Sequence, residues 1–307
     1  MKQKPIKSVY LKKEHTMNEV TIKTTSKLDI QQACKHIIQW MKDYMNISGQ
    51  KIWVIGVSGG IDSALASTLC AETRFPVLCV EMPIHQNKEH ITRGQRHISW
   101  LKEKYNNVNQ VETDMTKTFD VFESDFNKAL SQLPFAYDDS RIELGLANTR
   151  SRMRMTALYF LSNMLGGLVC GTGNKVEDFG IGFFSLGGDG QVDISPIADL
   201  MKSEVRAMAK EMGILEEIVN AVPSDGLWDD SRSDEDQIGA TYDELEWAMD
   251  FIANEGEPRY VGSTPTYPER VNLSERESEV LKIYESRHNA NRHKMDSIPV
   301  CSVEKFR

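Results

Sequence analysis

The chain has 307 residues, a formal net charge of −9, 40% hydrophobic and 26% charged residues. That is an ordinary globular balance, without the run of about 18 apolar residues that crosses a membrane and without the basic stripe of a nucleic-acid binder. The five cysteines, Cys34, Cys70, Cys79, Cys170 and Cys301, include no C-x-x-C pair, which removes a zinc ribbon or redox motif and points to reduced thiols in the cytoplasm.

Residues 1–27 carry lysines but no apolar signal core, so a disordered leader is expected, with Met17 as an alternative start. "LDIQQACKHIIQWMKDYM" (28–45) places Ile30, Ala33, Ile37, Met41 and Tyr44 on one helical face. "KIWVIGVS" (51–58) and "PVLCVEMP" (76–83) read as buried strands, separated by a helix over 61–73. A helix at 90–105, a strand at 108–114 and a helix at 119–132 continue the alternation. The segment 148–165 predicts a long helix, basic at its start; its face Met155, Leu158, Leu161 and Leu165 serves either as core or as an interface. A strand over 166–174, a helix over 198–214, a helix within 233–253 and an irregular connection over 254–274 complete the pattern. The fold class this predicts is α/β, a parallel β-sheet with helices on both faces, in one domain over 28–299 with a tail at 300–307.

The chemistry concentrates at "VIGVSGGIDSALAS" (54–67). A strand that runs through Ser58-Gly59-Gly60 into a helix forms a backbone cup for an anion, and the helix start adds unpaired N–H donors. Ser58 and Ser63 add hydroxyls. Asp62 suits a phosphate site only with a Mg²⁺ ion between them, since Mg²⁺ takes one or two carboxylates plus phosphate oxygens. Neither G-x-x-x-x-G-K-[ST] nor G-x-G-x-x-G is present.

The string S-G-G-x-D-S resembles the phosphate loop of the ATP-pyrophosphatase superfamily. With "GTGNKVEDFGIGFFSLGGDGQVDISPIADLMKSEVR" (171–206), "VPSDGLWDDSRSDEDQIGATYDELE" (222–246) and "NANRHKMDSIP" (289–299) in that order, the chain resembles ammonia-dependent NAD synthetases over about 28–299. The resemblance implies a Rossmann-like nucleotide hydrolase fold. It also implies an activity: amidation of deamido-NAD with ammonia, driven by ATP through an adenylate. Gly56, Val57, Ser58, Gly59, Gly60, Ile61, Asp62 and Ser63 would hold the ATP phosphates, with Thr172, Lys202 and Ser224. Asp62 and Glu177 would bind Mg²⁺, and Asp62, Glu177 and Lys202 would form the catalytic set. Arg152, Asp189, His293 and Lys294 would bind deamido-NAD, the last two on a mobile tail closing over it. A homodimer is implied.

Leu186 stands where many relatives carry a lysine, and Glu81 where some carry an arginine. No glutaminase domain fits in the chain, so free ammonia is the expected donor; a separate glutaminase remains open. The alternatives are another adenylating amidotransferase of the superfamily, a tRNA thiolase, which would be expected to show C-x-x-C and more positive charge, or a non-catalytic nucleotide-binding relative.

Overall fold

The computed structural model describes residues 28–86, 88–224, 226–228, 232–254, 259–261, 264–266, 270, 272–303 and 307. Four strands, β1 (Ile52–Gly56), β2 (Val77–Glu81), β3 (Val108–Glu112) and β4 (Gly167–Val169), form one sheet in the order β3-β2-β1-β4. Every pairing is parallel, with Trp53 opposite Val77, Val77 opposite Val108 and Trp53 opposite Leu168. A parallel bridge from Cys170 to Ile194 prolongs the β4 edge. The helices α1 (Ile30–Ser48), α2 (Ile61–Glu72), α3 (Lys88–Lys104), α4 (Thr116–Leu130) and α5 (Ile142–Leu165) alternate with the strands. Then come α6 (Lys202–Glu211), α7 (Glu216–Val219), α8 (Asp234–Ile238), α9 (Tyr242–Asn254) and α10 (Glu275–Met295). The expected α/β class holds.

Strand alternation divides the core, because successive side chains point to opposite faces. Trp53, Ile55, Val77 and Cys79 face α1, α2 and α6, whereas Val54, Val80 and Val169 face Met155 and Leu158 of α5. α2 lies between the sheet and outer helices, so Ser63 to Ala71 are all buried. A smaller core of Val176, Ile181, Tyr242, Leu245, Val280 and Leu281 joins α9 and α10 to a π-helical turn at Val176–Ile181.

Several boundaries differ from expectation, each for a local reason. In α1 the buried residue is Met45, while Tyr44 is 37% exposed: the face continues from Met41 at four residues, not three. α5 starts at Ile142 rather than 148, after Asp138 accepts the Ser140 amide at 3.0 Å. Its arginines therefore sit inside the helix and not at its start. On α5, Met155 and Leu158 are core, while Leu165 is 44% exposed. Residues 198–201 are a turn, and α6 opens at Lys202 with the Met201 amide donating to Glu204. The helix expected within 233–253 divides at Gly239, whose φ is +88°, because Thr241 and Glu244 exchange hydrogen bonds that start α9 afresh. The region 289–295 is the helical end of α10, which begins on a Ser274–Glu277 capping box. The irregular connection over 254–274 includes an antiparallel pairing of Arg259–Val261 with Thr264–Thr266, and its residues 255–258, 262–263, 267–269 and 271 lie outside the described residues. The leader at 1–27 lies outside them too.

α3 is fastened to α2 by a buried polar contact. His97 is fully buried, with Nε2 at 2.9 Å from Ser67 Oγ. Ser67 Oγ gives its own proton to the Ser63 carbonyl at 2.7 Å, so the histidine donates through Nε2. Burial pushes the imidazole down to about 4 from an ordinary 6.5. The folded protein therefore binds the proton more weakly than the unfolded chain. This stability is complete above pH 6.5 and is lost as the pH falls towards 4, by at most about 3 kcal/mol. Urea unfolding of the parent and of His97→Gln across this window should show a steeper acid decline in the parent; parallel profiles would refute the buried neutral histidine.

Candidate active site

The site forms where β1 ends. Gly60 caps α2 through its backbone with no side-chain bond, which leaves the first-turn amides open to an anion. Ser58 and Ser63 shape the cup: their hydroxyls lie 3.1 Å apart, the Gly60 amide donates to Ser58 Oγ at 3.2 Å, and Ser63 Oγ donates to the Gly60 carbonyl at 3.0 Å. Gly59 is required twice over. Its φ is +83°, and a Cβ there would lie 2.3 Å from the His90 carbonyl oxygen of α3.

Three charged side chains from distant segments meet beside the cup. Lys202 Nζ donates to Asp62 Oδ2 at 2.7 Å and to Glu177 Oε1 at 3.0 Å. The ammonium is 2% exposed, the two carboxylates 18% and 16%. Burial alone would push the lysine down, but Asp62 and Glu177 outweigh it and hold the ammonium above the usual lysine range. Burial, with Asp62 nearby, pushes the Glu177 carboxyl up against the pull of Lys202. Tyr242 lies beneath: its hydroxyl donates to Glu177 Oε1 at 2.6 Å, and Lys202 Nζ lies 4.4 Å from its ring centre. Asn174 Nδ2 donates to Asp62 Oδ1 at 3.1 Å, while Asn174 Oδ1 accepts the Val176 and Glu177 amides. One asparagine thus ties the loop carboxylate to the π-helical turn that carries the second carboxylate.

A cavity of about 230 Å³ opens over the cup and the charged group. Of the residues singled out in the sequence, it gathers Gly56, Val57, Ser58, Gly60, Ile61, Asp62, Ser63, Thr172, Glu177, Asp189, Lys202 and Ser224 in its wall. Asp189 Oδ1 accepts Ser151 Oγ at 2.5 Å and the Ser185 amide at 3.0 Å.

Residues 33–296 match the family described as NAD synthase. The chain belongs to the NAD synthase family. A Methanococcoides burtonii protein named NH(3)-dependent NAD(+) synthetase is 35% identical over 236 residues, covering 76% of this chain and 84% of its own. Two solved structures share the fold. An NMN synthetase from Francisella tularensis superposes with a TM-score of 0.72 at 24% identity, over 90% of this chain and all of the other. An NH3-dependent NAD synthetase from Campylobacter jejuni gives 0.66 at 22%, with the same two coverages.

Other residues implied by the family resemblance lie elsewhere. Gly59 turns its back on the cavity and packs on α3. Arg152 is exposed, with Nε donating to the Leu186 carbonyl at 3.0 Å, and Arg154 of the same helix lines the cavity instead. Lys294 does not reach the cavity; its Nζ donates to the Gly182 and Phe184 carbonyls at 2.6 and 2.8 Å. His293 is exposed on α10, with Nδ1 3.1 Å from the Ala290 carbonyl. Glu81 is buried at the end of β2 and accepts Gln110 Nε2 at 2.7 Å.

Sequence reasoning missed Tyr242 and Asn174. Tyr242 opens α9 inside "TYDE", a capping signature that would have placed it at a helix start but not over Lys202. Asn174, in "GTGNKVE", had a signal in its position before an acidic first turn.

Removing the bridging cation should leave two uncompensated carboxylates. Lys202→Met is expected to cost about 3–5 kcal/mol of folding stability. Tyr242→Phe, which keeps the ring, should cost about 1–3 kcal/mol. Urea unfolding checks both, and a Lys202→Met protein as stable as the parent would disprove the bridge.

Proposed function

We propose that this chain amidates deamido-NAD to NAD with ammonia and ATP, releasing AMP and pyrophosphate. The observation that carries the reading is the meeting of an open helix start with two carboxylates and one buried lysine on a single cavity. A carboxylate resists amidation because oxide is a poor leaving group. Its oxygen attacks the α-phosphorus of ATP, the bond to the β-phosphate oxygen breaks, and pyrophosphate departs. Ammonia then adds to the acyl carbon, AMP leaves with the oxygen, and nitrogen sheds its surplus proton. Charge builds on phosphate oxygens in the first step, where preorganised donors act most strongly.

In this reading the amides and hydroxyls from Gly56 to Ser63 hold the β,γ-phosphates, with Thr172 and Ser224 on the opposite wall. Lys202 reaches the phosphates from the cavity wall while bridging Asp62 and Glu177. The donor set fits Mg²⁺: two hard carboxylates line the cavity, each Asp62 oxygen accepts only one hydrogen bond, from Asn174 or Lys202, and so keeps a second lone pair, and phosphate oxygens and water would supply the remaining ligands. Bound there, Mg²⁺ would neutralise phosphate charge. Arg152, Asp189, His293 and Lys294 are assigned to deamido-NAD, Lys294 by holding the 182–184 segment whose Phe183 lines the cavity. A second copy of the chain is the partner proposed for the exposed Phe160 and Met164 of α5, with Phe126 of α4. Five free cysteines suit a reducing compartment, and we assign the reaction to the cytoplasm.

The test is an assay with ATP, Mg²⁺ and deamido-NAD, supplied first with ammonium and then with glutamine. AMP, pyrophosphate and NAD should form in equal amounts with ammonium only. AMP without NAD, or turnover only on the nicotinate mononucleotide half, would reassign the acceptor; no AMP would leave a nucleotide-binding protein. Asp62→Asn should stay folded and lose about 100-fold or more in kcat, the scale of one lost preorganised electrostatic contact in a reaction centre.

A further inference from the structure

The cavity must receive a polyanion, yet the charges named so far do not favour one. Lys202 is already matched by Asp62 and Glu177, which outnumber it. Asp189 and Asp234 also stand in the wall. Arg154 of α5, with Nε on the Met82 carbonyl at 3.0 Å, leaves the acids of the wall in excess, so a further cation must come from another element, and α3 supplies one.

α3 leans directly on the phosphate loop. Gly59 admits the His90 carbonyl, and Gly94, one turn on, would carry its Cβ 3.5 Å from the Gly59 nitrogen and 3.7 Å from the Val57 oxygen. Arg93 lies between these two contacts, half-buried, and lines the cavity. Its Nε is 3.4 Å from the Gly59 carbonyl oxygen, which sets the guanidinium beside the cup. Among the described residues no carboxylate forms an ion pair with it. His90, also in the wall, is held below the ordinary histidine range by burial and by Arg93, so it adds no charge at neutral pH. Gln86 Nε2, 3.5 Å from the Ser58 carbonyl, completes the α3 side with a neutral donor.

We propose that Arg93 is a phosphate-binding residue of this site, gripping the β,γ-phosphates of ATP and the departing pyrophosphate from the α3 side of the loop. This rests on the reading that the cavity takes ATP. Arginine is well suited to such a grip, because its fork offers several donors at fixed geometry: Nε can stay on Gly59 while the terminal nitrogens meet phosphate oxygens. The same arginine compensates for the acid at Glu81, which the fold has turned away from the nucleotide and buried against Gln110.

The experiment compares the parent with Arg93→Gln and Arg93→Lys. Calorimetry measures binding of inorganic pyrophosphate and of AMP, and steady-state kinetics give KM for ATP and for deamido-NAD. Arg93→Gln, which keeps a donor but not the charge, should weaken pyrophosphate and raise KM for ATP by about 10- to 100-fold, the worth of a charge-assisted hydrogen bond. AMP affinity and KM for deamido-NAD should move less than about twofold, because neither ligand brings β,γ-phosphates to the cup. Arg93→Lys should recover part of the loss. Unchanged pyrophosphate binding in Arg93→Gln overturns the proposal. Equal weakening of AMP and pyrophosphate also overturns it, since that marks an arginine that merely shapes the loop. A parent that binds pyrophosphate through Arg93 but makes no NAD removes the amidation reading and leaves the phosphate contact intact.

Discussion

The bridge from Lys202 to Asp62 and Glu177 holds three segments that share no secondary structure: the start of α2, the π-helical turn and the start of α6. Two carboxylates brought this close repel, and a nearly buried ammonium is costly without partners. Each group is therefore tolerable only because the other two are present. The bridge also leaves capacity for a ligand. Lys202 is closed to solvent, while the carboxylates keep part of their surface open to the cavity. An incoming cation or phosphate would meet groups already aimed, which lowers the ordering that binding must impose.

Around that bridge the layers follow. α2 has to be apolar nearly all round, because it carries Asp62 at one end and is wedged between sheet and outer helices. The layer of α9 and α10 is anchored through Tyr242, which contacts Glu177 with its hydroxyl and Lys202 with its ring. α3 is brought onto the loop from the other side by two glycines so close that a Cβ on either would lie 3.1 or 3.5 Å from the other's nitrogen, with His97 and Ser67 fastening the next turn. The atoms that face the cavity thus come from elements whose own packing fixes them.

The alternation of strands and helices was legible because buried parallel strands are continuous apolar runs and because Gly and Pro punctuate them. The cup was legible because S-G-G-x-D-S packs every requirement into six adjacent residues. What could not be read was anything decided by long-range approach. Nothing around Arg93 distinguishes it from an exposed helix cation until Gly59 and Gly94 are seen to bring α3 onto the loop. Tyr242 and Asn174 reach the charged group only through chain reversals far from their own neighbours in sequence. The arginines of 148–165 were misplaced relative to the helix start because Gly145 lies inside α5, where a glycine normally argues for a boundary. The fastening of Lys294 to two carbonyls was likewise hidden, since a His-Lys pair near a chain end carries no sign of the backbone it will meet.

One departure from the family pattern now has a physical reading. Leu186 is half-exposed, and it is its carbonyl, not its side chain, that engages the site, by accepting Arg152 Nε. A lysine at 186 would bring a second cation near that guanidinium, a repulsion worth tolerating only if an anion lies between them. With leucine there, Arg152 is oriented through Nε onto the Leu186 carbonyl. The turn at 184–188 therefore supplies shape and a backbone acceptor. On this side of the cavity the Asp189 carboxylate is itself fixed by Ser151 and the Ser185 amide. On the loop side the acid at Glu81 is buried against Gln110, and a cation, Arg93 of α3, stands in the cavity wall.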